Sequence, residues 1–158
     1  MTPRGIYAAE TTVSVEKSLA ELRQILKRYE SSGFAYLEDG ENQCETVAWK
    51  MGGRPYRITI SVPHYASNEC WFTDTGKRRT EAQAKAYAGQ IHRQRWRAVV
   101  LVVKAMLEGG EAMGFDPEQL MIPYLVLTDG RTLAELAPEH VPQIQARGWV
   151  GLLGAKDE

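Results

Sequence analysis

The sequence predicts a single α+β domain over residues 1–158. The expected order is a helix, a three- to four-stranded antiparallel β-meander, a long central helix and a short C-terminal strand and helix segment. Three observations predict it. Apolar residues recur at three- and four-residue steps from Val15 to Tyr29, the period of an amphipathic helix. Residues 43–62 alternate apolar and polar side chains around Gly52-Gly53, the pattern of a hairpin. Thr80-Glu81-Ala82-Gln83 has the form of a capping box and opens a second, longer helical stretch. A chain of this length buries about 70% of its unfolded surface in one domain.

In the first helix, Val15, Leu19, Leu22, Ile25, Leu26 and Tyr29 share one face, and Glu16, Lys17, Glu21, Arg23, Lys27 and Arg28 fill the other. Ser14 is the expected N-cap and Gly33 the expected stop. Residues 34–38 read as a short strand closed by Asp39-Gly40-Glu41-Asn42. Residues 43–51 and 54–62 read as longer strands. Gly52-Gly53 supplies the positive φ values of a two-residue type I′ turn. Pairing Met51 with Arg54 then sets Trp49 opposite Tyr56 and Val47 opposite Ile58 on one face, with Ala48/Arg57 and Thr46/Thr59 on the other. Pro55 puts its strand at an edge.

Residues 63–80 read as a loop with a short strand at 70–73. The long helix should run to about Met113, where Gly109, Gly110 and Gly114 weaken it. Its broad apolar face holds His92, Trp96, Val99, Val100, Val103, Met106 and Leu107, with Leu101 and Val102 outside it. Asp116-Pro117 is a cap and first-turn pair, residues 124–127 a short strand, and Asp129-Gly130 a turn. Thr132–Glu135 is a second capping box, and a last helix is expected within residues 138–146, stopped by Gly148. The expected core is Leu19, Leu22, Leu26, Val47, Trp49, Ile58, Ile60, Trp96, Val99, Val103 and Leu107.

Charge is distributed very unevenly. Residues 77–104 hold eight bases (Lys77, Arg78, Arg79, Lys85, Arg93, Arg95, Arg97, Lys104) against Glu81 alone, a net of +7. The rest of the chain holds eleven bases and nineteen acids, a net of −8. Such a bipolar field speaks to partners rather than to fold. Lys77, Arg78 and Arg79 stand immediately before a helix N-terminus, where cations do nothing for the helix itself. Phosphate groups would account for them, and so would compensation of nearby acids in an exposed loop.

No catalytic constellation accompanies this charge. The phosphate-loop, dinucleotide, zincin and nucleophile-elbow patterns are all missing from the sequence. Asp39, Glu41, Glu45 and Lys50 cluster in sequence, but strand alternation puts Glu45 and Lys50 on opposite faces, which a metal-dependent nuclease would not allow. Cys44 and Cys70 form no C-x-x-C pair, and His64, His92 and His140 are scattered, so neither a metal nor another cofactor is expected. His92 on the apolar face is expected to be a satisfied core histidine. The longest apolar run, residues 98–103, is far short of a membrane span, and residues 1–10 lack the apolar run of a signal peptide, so a cytoplasmic protein is expected.

The order helix, three strands, helix, with Gly76-Lys77-Arg78-Arg79, Ala82 and Ala84-Lys85 at the second helix, is similar to that of double-stranded-RNA-binding domains. The lysine spacing departs from theirs, and the long loop and last fifty residues fall outside the pattern. Thr11-Thr12-Val13-Ser14-Val15-Glu16-Lys17, Arg93-Gln94-Arg95-Trp96-Arg97-Ala98 and Asp129-Gly130-Arg131-Thr132 resemble segments of small, uncharacterised bacteriophage and prophage proteins. That resemblance implies a setting in a host cell and no catalytic residues.

The leading expectation is therefore a non-enzymatic accessory protein that binds nucleic acid. Lys77, Arg78, Arg79 and Lys85 would contact phosphates, and Arg93 and Arg97 would extend the track if that side of the helix is exposed. Trp71 and Phe72 would stack on bases or form a buried pair. The alternative is an inhibitor or adaptor that docks on a host defence or replication protein, for which the acidic stretch 105–158, net −6, could itself imitate a polyanion. A homodimer through the long helix is expected unless residues 121–153 cover that helix.

Overall fold

The computed structural model describes Ala8 and residues 10–146, with side chains as far as Pro142. Helix α1 spans Val15–Arg28, and the Ser14 hydroxyl accepts the Lys17 N–H as its N-cap. Its end differs from the expected stop at Gly33. Tyr29 is the C-cap, and Glu30 takes the left-handed position at φ +58°. The Ser31 N–H reaches back to the Leu26 carbonyl at 3.2 Å and the Glu30 N–H to Lys27 at 3.2 Å, the two bonds of a Schellman motif. Gly33, at φ +63°, instead sits where the register of strand β1 (Ser32–Asp39) slips between Ser32 and Ala35, a bulge.

Strands β2 (Cys44–Met51) and β3 (Arg54–Ser61) pair in the expected register, with Met51 opposite Arg54, Trp49 opposite Tyr56 and Val47 opposite Ile58. Gly52 and Gly53 take φ +55° and +77°, as the turn requires. The sheet has three strands in the order β1-β2-β3, all antiparallel. The outer edge of β3 receives only a short cover, where Val126 N–H donates to the Pro55 carbonyl at 2.9 Å beside a Tyr56–Leu125 bridge.

The strand expected at residues 70–73 is not formed. Asn68–Trp71 make one helical turn, α2, and Phe72 only bridges to Arg78. Consecutive side chains of a strand point to opposite faces. A helical turn instead lets Cys70 and Trp71 both join a small apolar cluster with Ala84 and Ala88.

Helix α3 spans Glu81–Lys104 and passes through a π-helical turn, Ala105–Gly109, into α4, Gly110–Ala112, capped by Met113. The expected capping box is made: Thr80 N–H donates to Gln83 Oε1 at 2.9 Å, and Gln83 N–H to Thr80 Oγ1 at 3.3 Å. Asp116 caps α5 (Pro117–Met121), a 3₁₀ turn Ile122–Tyr124 follows, and residues 125 and 126 make single bridges rather than a strand. Helix α6 runs Leu133–Ala146, starting five residues before the expected span because the Thr132/Glu135 box caps it there; Pro138 and Pro142 lie inside it. Gly148 lies outside the described residues.

The main core joins α1, the inner face of the sheet and the C-terminal half of α3. Leu22, Ile25, Leu26, Val47, Trp49, Tyr56, Ile58, Trp96, Val99, Val100, Val103 and Leu107 are buried in it. Leu19 and Ile60, expected in the core, are half-buried against it. Met121, Tyr124 and Leu125 also pack on this core, so part of the 121–153 segment covers it; Trp149 to Leu153 lie outside the described residues. Among the described residues no helix is long and apolar enough to cross a membrane.

Candidate nucleic-acid interface

The basic segment before α3 is an ordered hairpin rather than a loose loop. Arg79 N–H donates to the Trp71 carbonyl at 2.7 Å, and Thr73 N–H to the Lys77 carbonyl at 2.9 Å. Gly76 at φ +78° closes the turn, and the Thr73 hydroxyl accepts the Lys77 N–H at 3.0 Å. Together with α2 and the first turns of α3 this hairpin forms a knob around the smaller apolar cluster of Cys70, Ala84 and Ala88.

Within the knob, cations interleave with aromatic rings. The Arg78 guanidinium lies 5.1 Å from the centroid of the Trp71 ring, Arg79 lies 3.9 Å from that of Tyr87, and the Lys85 ammonium 4.9 Å from that of Tyr65. Phe72 is 45% exposed beside Arg78, its bridge partner.

The six predicted site residues divide into three situations. Lys77 and Arg78 are exposed and, among the described residues, face no carboxylate at ion-pair distance. Arg79 points inward: its guanidinium donates to the carbonyls of Phe72 at 2.6 Å, Cys70 at 3.2 Å and Glu69 at 3.4 Å. These are carbonyls at and just past the C-terminal end of α2, where a cation is favoured. Here lies the reason for a cation just before α3. It serves the preceding turn. Lys85 stands on the exposed head of α3 and pairs with Glu81 at 2.6 Å. The hydrogen bond with Glu81 pushes the Lys85 ammonium up, and the same bond holds the Glu81 carboxyl below its usual range.

Arg93 and Arg97 are half-buried on the side of α3 that α1 covers. Arg97 is ion-paired with Glu21 of α1, and Arg93 donates to Gln90 Oε1 at 2.6 Å. The condition for extending the track along α3, exposure on that side, is not met. Arg95 is likewise engaged, donating to the Ser61 carbonyl at 2.6 Å and lying 3.6 Å from Glu69. Lys104 stands 4.0 Å from Glu108.

A second polar group lies at the edge of the main core. Glu45, on the inward face of β2, accepts from the Trp96 indole N–H and bonds His92 Nε2 at 2.9 Å. His92 is thus the satisfied histidine its position on the helix implies. Burial and hydrogen bonds to Glu38 and Glu45 push the Tyr36 phenol well up. Sequence reading missed Glu45 as a core residue, although it has the same strand parity as Val47 and Trp49, and that parity was the available signal. Glu45 is turned inward and Lys50 outward, as strand alternation requires. Among the described residues no group of three or more His, Cys, Asp or Glu side chains converges as a metal site would require.

Comparison with protein-family models, with curated proteins and with solved structures finds no match to this chain.

Proposed function

We propose that the protein is a non-enzymatic accessory protein that binds nucleic acid through its knob, with single strands the best-fitting substrate. The observation that carries this reading is the pair Lys77 and Arg78, free of carboxylates and set beside exposed Phe72 and half-buried Trp71. Single-strand binders combine cations that follow the backbone with aromatic faces on which bases stack. Arg79 acts as a positioning residue that fixes the hairpin, and Lys85, paired with Glu81 on the exposed head of α3, would add a third cation on release from that pair. The resemblance of the sequence to phage proteins would put this activity in the cytoplasm of a host cell.

Fluorescence anisotropy with single-stranded DNA and RNA and with duplexes tests the reading. Replacing Lys77 and Arg78 together by alanine should weaken single-strand binding and make the plot of log K against log salt shallower by about 1.4, two phosphates' worth. Phe72→Ala should cost about 1–3 kcal/mol of binding if one base stacks there. Absence of binding to every nucleic acid at low salt would reject the proposal.

A second reading, docking on a host protein as inhibitor or adaptor, draws on a different surface. Met113, Phe115 and Ile122 are 65%, 48% and 43% exposed in an acid-rich stretch. Large apolar side chains left exposed in an acidic stretch suit a protein partner. Capture of one host polypeptide that is lost on Phe115→Asp, while Lys77/Arg78 variants keep it, would favour this reading over the first.

A further inference from the structure

Strand β1 is the open edge of the sheet, and its pairing pattern dictates what it offers. Met51 and Arg54 flank a two-residue turn and so form a hydrogen-bonded pair, which directs the odd-numbered residues of β2 toward β3 and the even-numbered ones toward β1. Ala35 faces Ala48 and Leu37 faces Thr46, so these two bond inward to β2. Tyr36, which faces Val47, and Glu38, which faces Glu45, therefore turn their N–H and C=O groups outward, and the Phe34 C=O turns outward with them because its peptide unit carries the inward Ala35 N–H. Among the described residues nothing pairs with them. The strand carries neither Pro nor Lys, the usual guards of an edge; its bulge at Gly33 blunts one end only.

The flank beside this edge is polar in a directional way. Glu16 and Glu38 line a cleft of about 320 Å³ at one end, with Tyr36, His92 and Arg93. Arg23 and Lys27 line another of about 390 Å³ at the opposite end, with Phe34. The Arg23 guanidinium lies over the Phe34 ring at 6.0 Å. A two-fold axis at Tyr36 exchanges these ends, which makes the edge complementary to itself, the requirement of an isologous interface.

We propose that β1 pairs antiparallel with β1 of a second copy, centred on Tyr36, to form a six-stranded sheet across the dimer. In this register Tyr36 faces Tyr36 of the second copy and Phe34 faces Glu38, so the outward groups exchange about four backbone hydrogen bonds, two at Tyr36 and one at each Phe34 carbonyl. Glu38 arrives on the face where Arg23 stacks on Phe34, giving two equivalent ion pairs. On the outer face Ala35 comes opposite Leu37, which is 65% exposed in the single chain and becomes covered. This surface touches α3 only where His92 and Arg93 line the cleft beside Glu38, it is separate from the knob, and the proposal does not depend on what the knob binds.

Light scattering and sedimentation across the micromolar range test it, with a mass of twice 17.7 kDa expected. Arg23→Glu or Glu38→Arg alone should each raise the dimer dissociation constant about tenfold, since symmetry counts each lost ion pair twice. The double variant, Arg23→Glu with Glu38→Arg, should restore it. Tyr36→Pro, which removes the central N–H from both strands, should give monomer with the circular dichroism of the parent. A monomeric parent throughout the range would overturn the proposal, and so would a dimer indifferent to both charge variants. Failure of Tyr36→Pro to fold would leave the charge-swap rescue as the deciding measurement.

Discussion

Trp96 and Trp71 stand on two sides of one molecule in opposite circumstances. Trp96 is wholly buried in the main core, meets Tyr36 edge-on at 5.7 Å and gives its indole N–H to Glu45. Trp71 is half-buried at the surface of the knob, with Arg78 over its ring. The body around Trp96 is held by apolar burial from three elements. Among the described residues the knob buries only Cys70, Ala84 and Ala88, and it depends on hydrogen bonds to backbone and on cation–ring contacts. Burial is non-directional and tolerant, whereas a knob made of directed contacts fixes the position of a few exposed groups at small cost in core volume. On the proposed function, this suits a surface that holds Lys77 and Arg78 in one place.

The sharpest way to separate the two regions is to damage the body. Trp96→Ala removes the largest side chain of the central helix and leaves Glu45 without its indole donor. A loss of about 3–5 kcal/mol is expected, as for other large-to-small core changes, and chemical denaturation should show one cooperative transition for the whole chain. Independent melting of the sheet and the knob in this variant would break the comparison.

Arg79→Ala attacks the knob in the corresponding way. It leaves three carbonyls without their charged donor and uncovers Tyr87, for a loss of about 1–3 kcal/mol confined to the knob. Amide exchange should speed up in residues 68–80 and remain slow in β2 and β3. Arg79→Lys should rescue little, because an ammonium cannot both reach the carbonyls as a planar fork and stack on the ring. Thr80→Ala should cost less, about 1 kcal/mol, by removing one half of the capping box. Its effect should appear as fraying of the first turn of α3 in carbon chemical shifts.

How far each region was legible in the sequence follows from the same contrast. The hairpin register from Met51/Arg54 to Thr46/Thr59 could be written down beforehand because a two-residue turn leaves one register and alternation confirms it. The two capping boxes were legible because their bonds are local. Glu30 ending α1 was not, since the glycine preference at that position is statistical and Gly33 stood nearby with another task. In the knob, local reading favoured a strand at 70–73, and a tertiary demand overruled it: Cys70 and Trp71 both had to face α3. The eight bases were visible as a charge block, and Lys85 and Lys104 pair within one helical turn, but two of the arginines find partners far away in sequence. Arg97 meets Glu21 and Arg95 meets Ser61, and nothing local announces either contact. Among the described residues only Lys77 and Arg78 keep the exposed character, without an ion pair, that the charge pattern suggests for all.

The smallest expected effect is a pH window on the head of α3. Glu81 pairs with Lys85 one turn on, and the bond holds the Glu81 carboxyl below its ordinary value while it pushes the Lys85 ammonium above its own. A carboxyl with a lowered folded pKa contributes stability that is present above its unfolded pKa and is lost as pH falls through the folded value. An ammonium with a raised folded pKa contributes stability that is present below its unfolded pKa and is lost as pH rises through the folded value. The pair therefore supports α3 across the neutral range and fails at both extremes. Both groups are exposed, so added salt should weaken the contribution. Comparing the parent with Glu81→Gln by carbon chemical shifts of Ala82 to Ala86 should show a difference at neutral pH that closes in acid, in strong base and at high salt. The shifts of β2 should not distinguish the two proteins at any pH. A difference that persists unchanged into acid would mean that Glu81 acts through the helix backbone rather than through Lys85, and the knob would then rest less on directed ionic contacts than its geometry indicates.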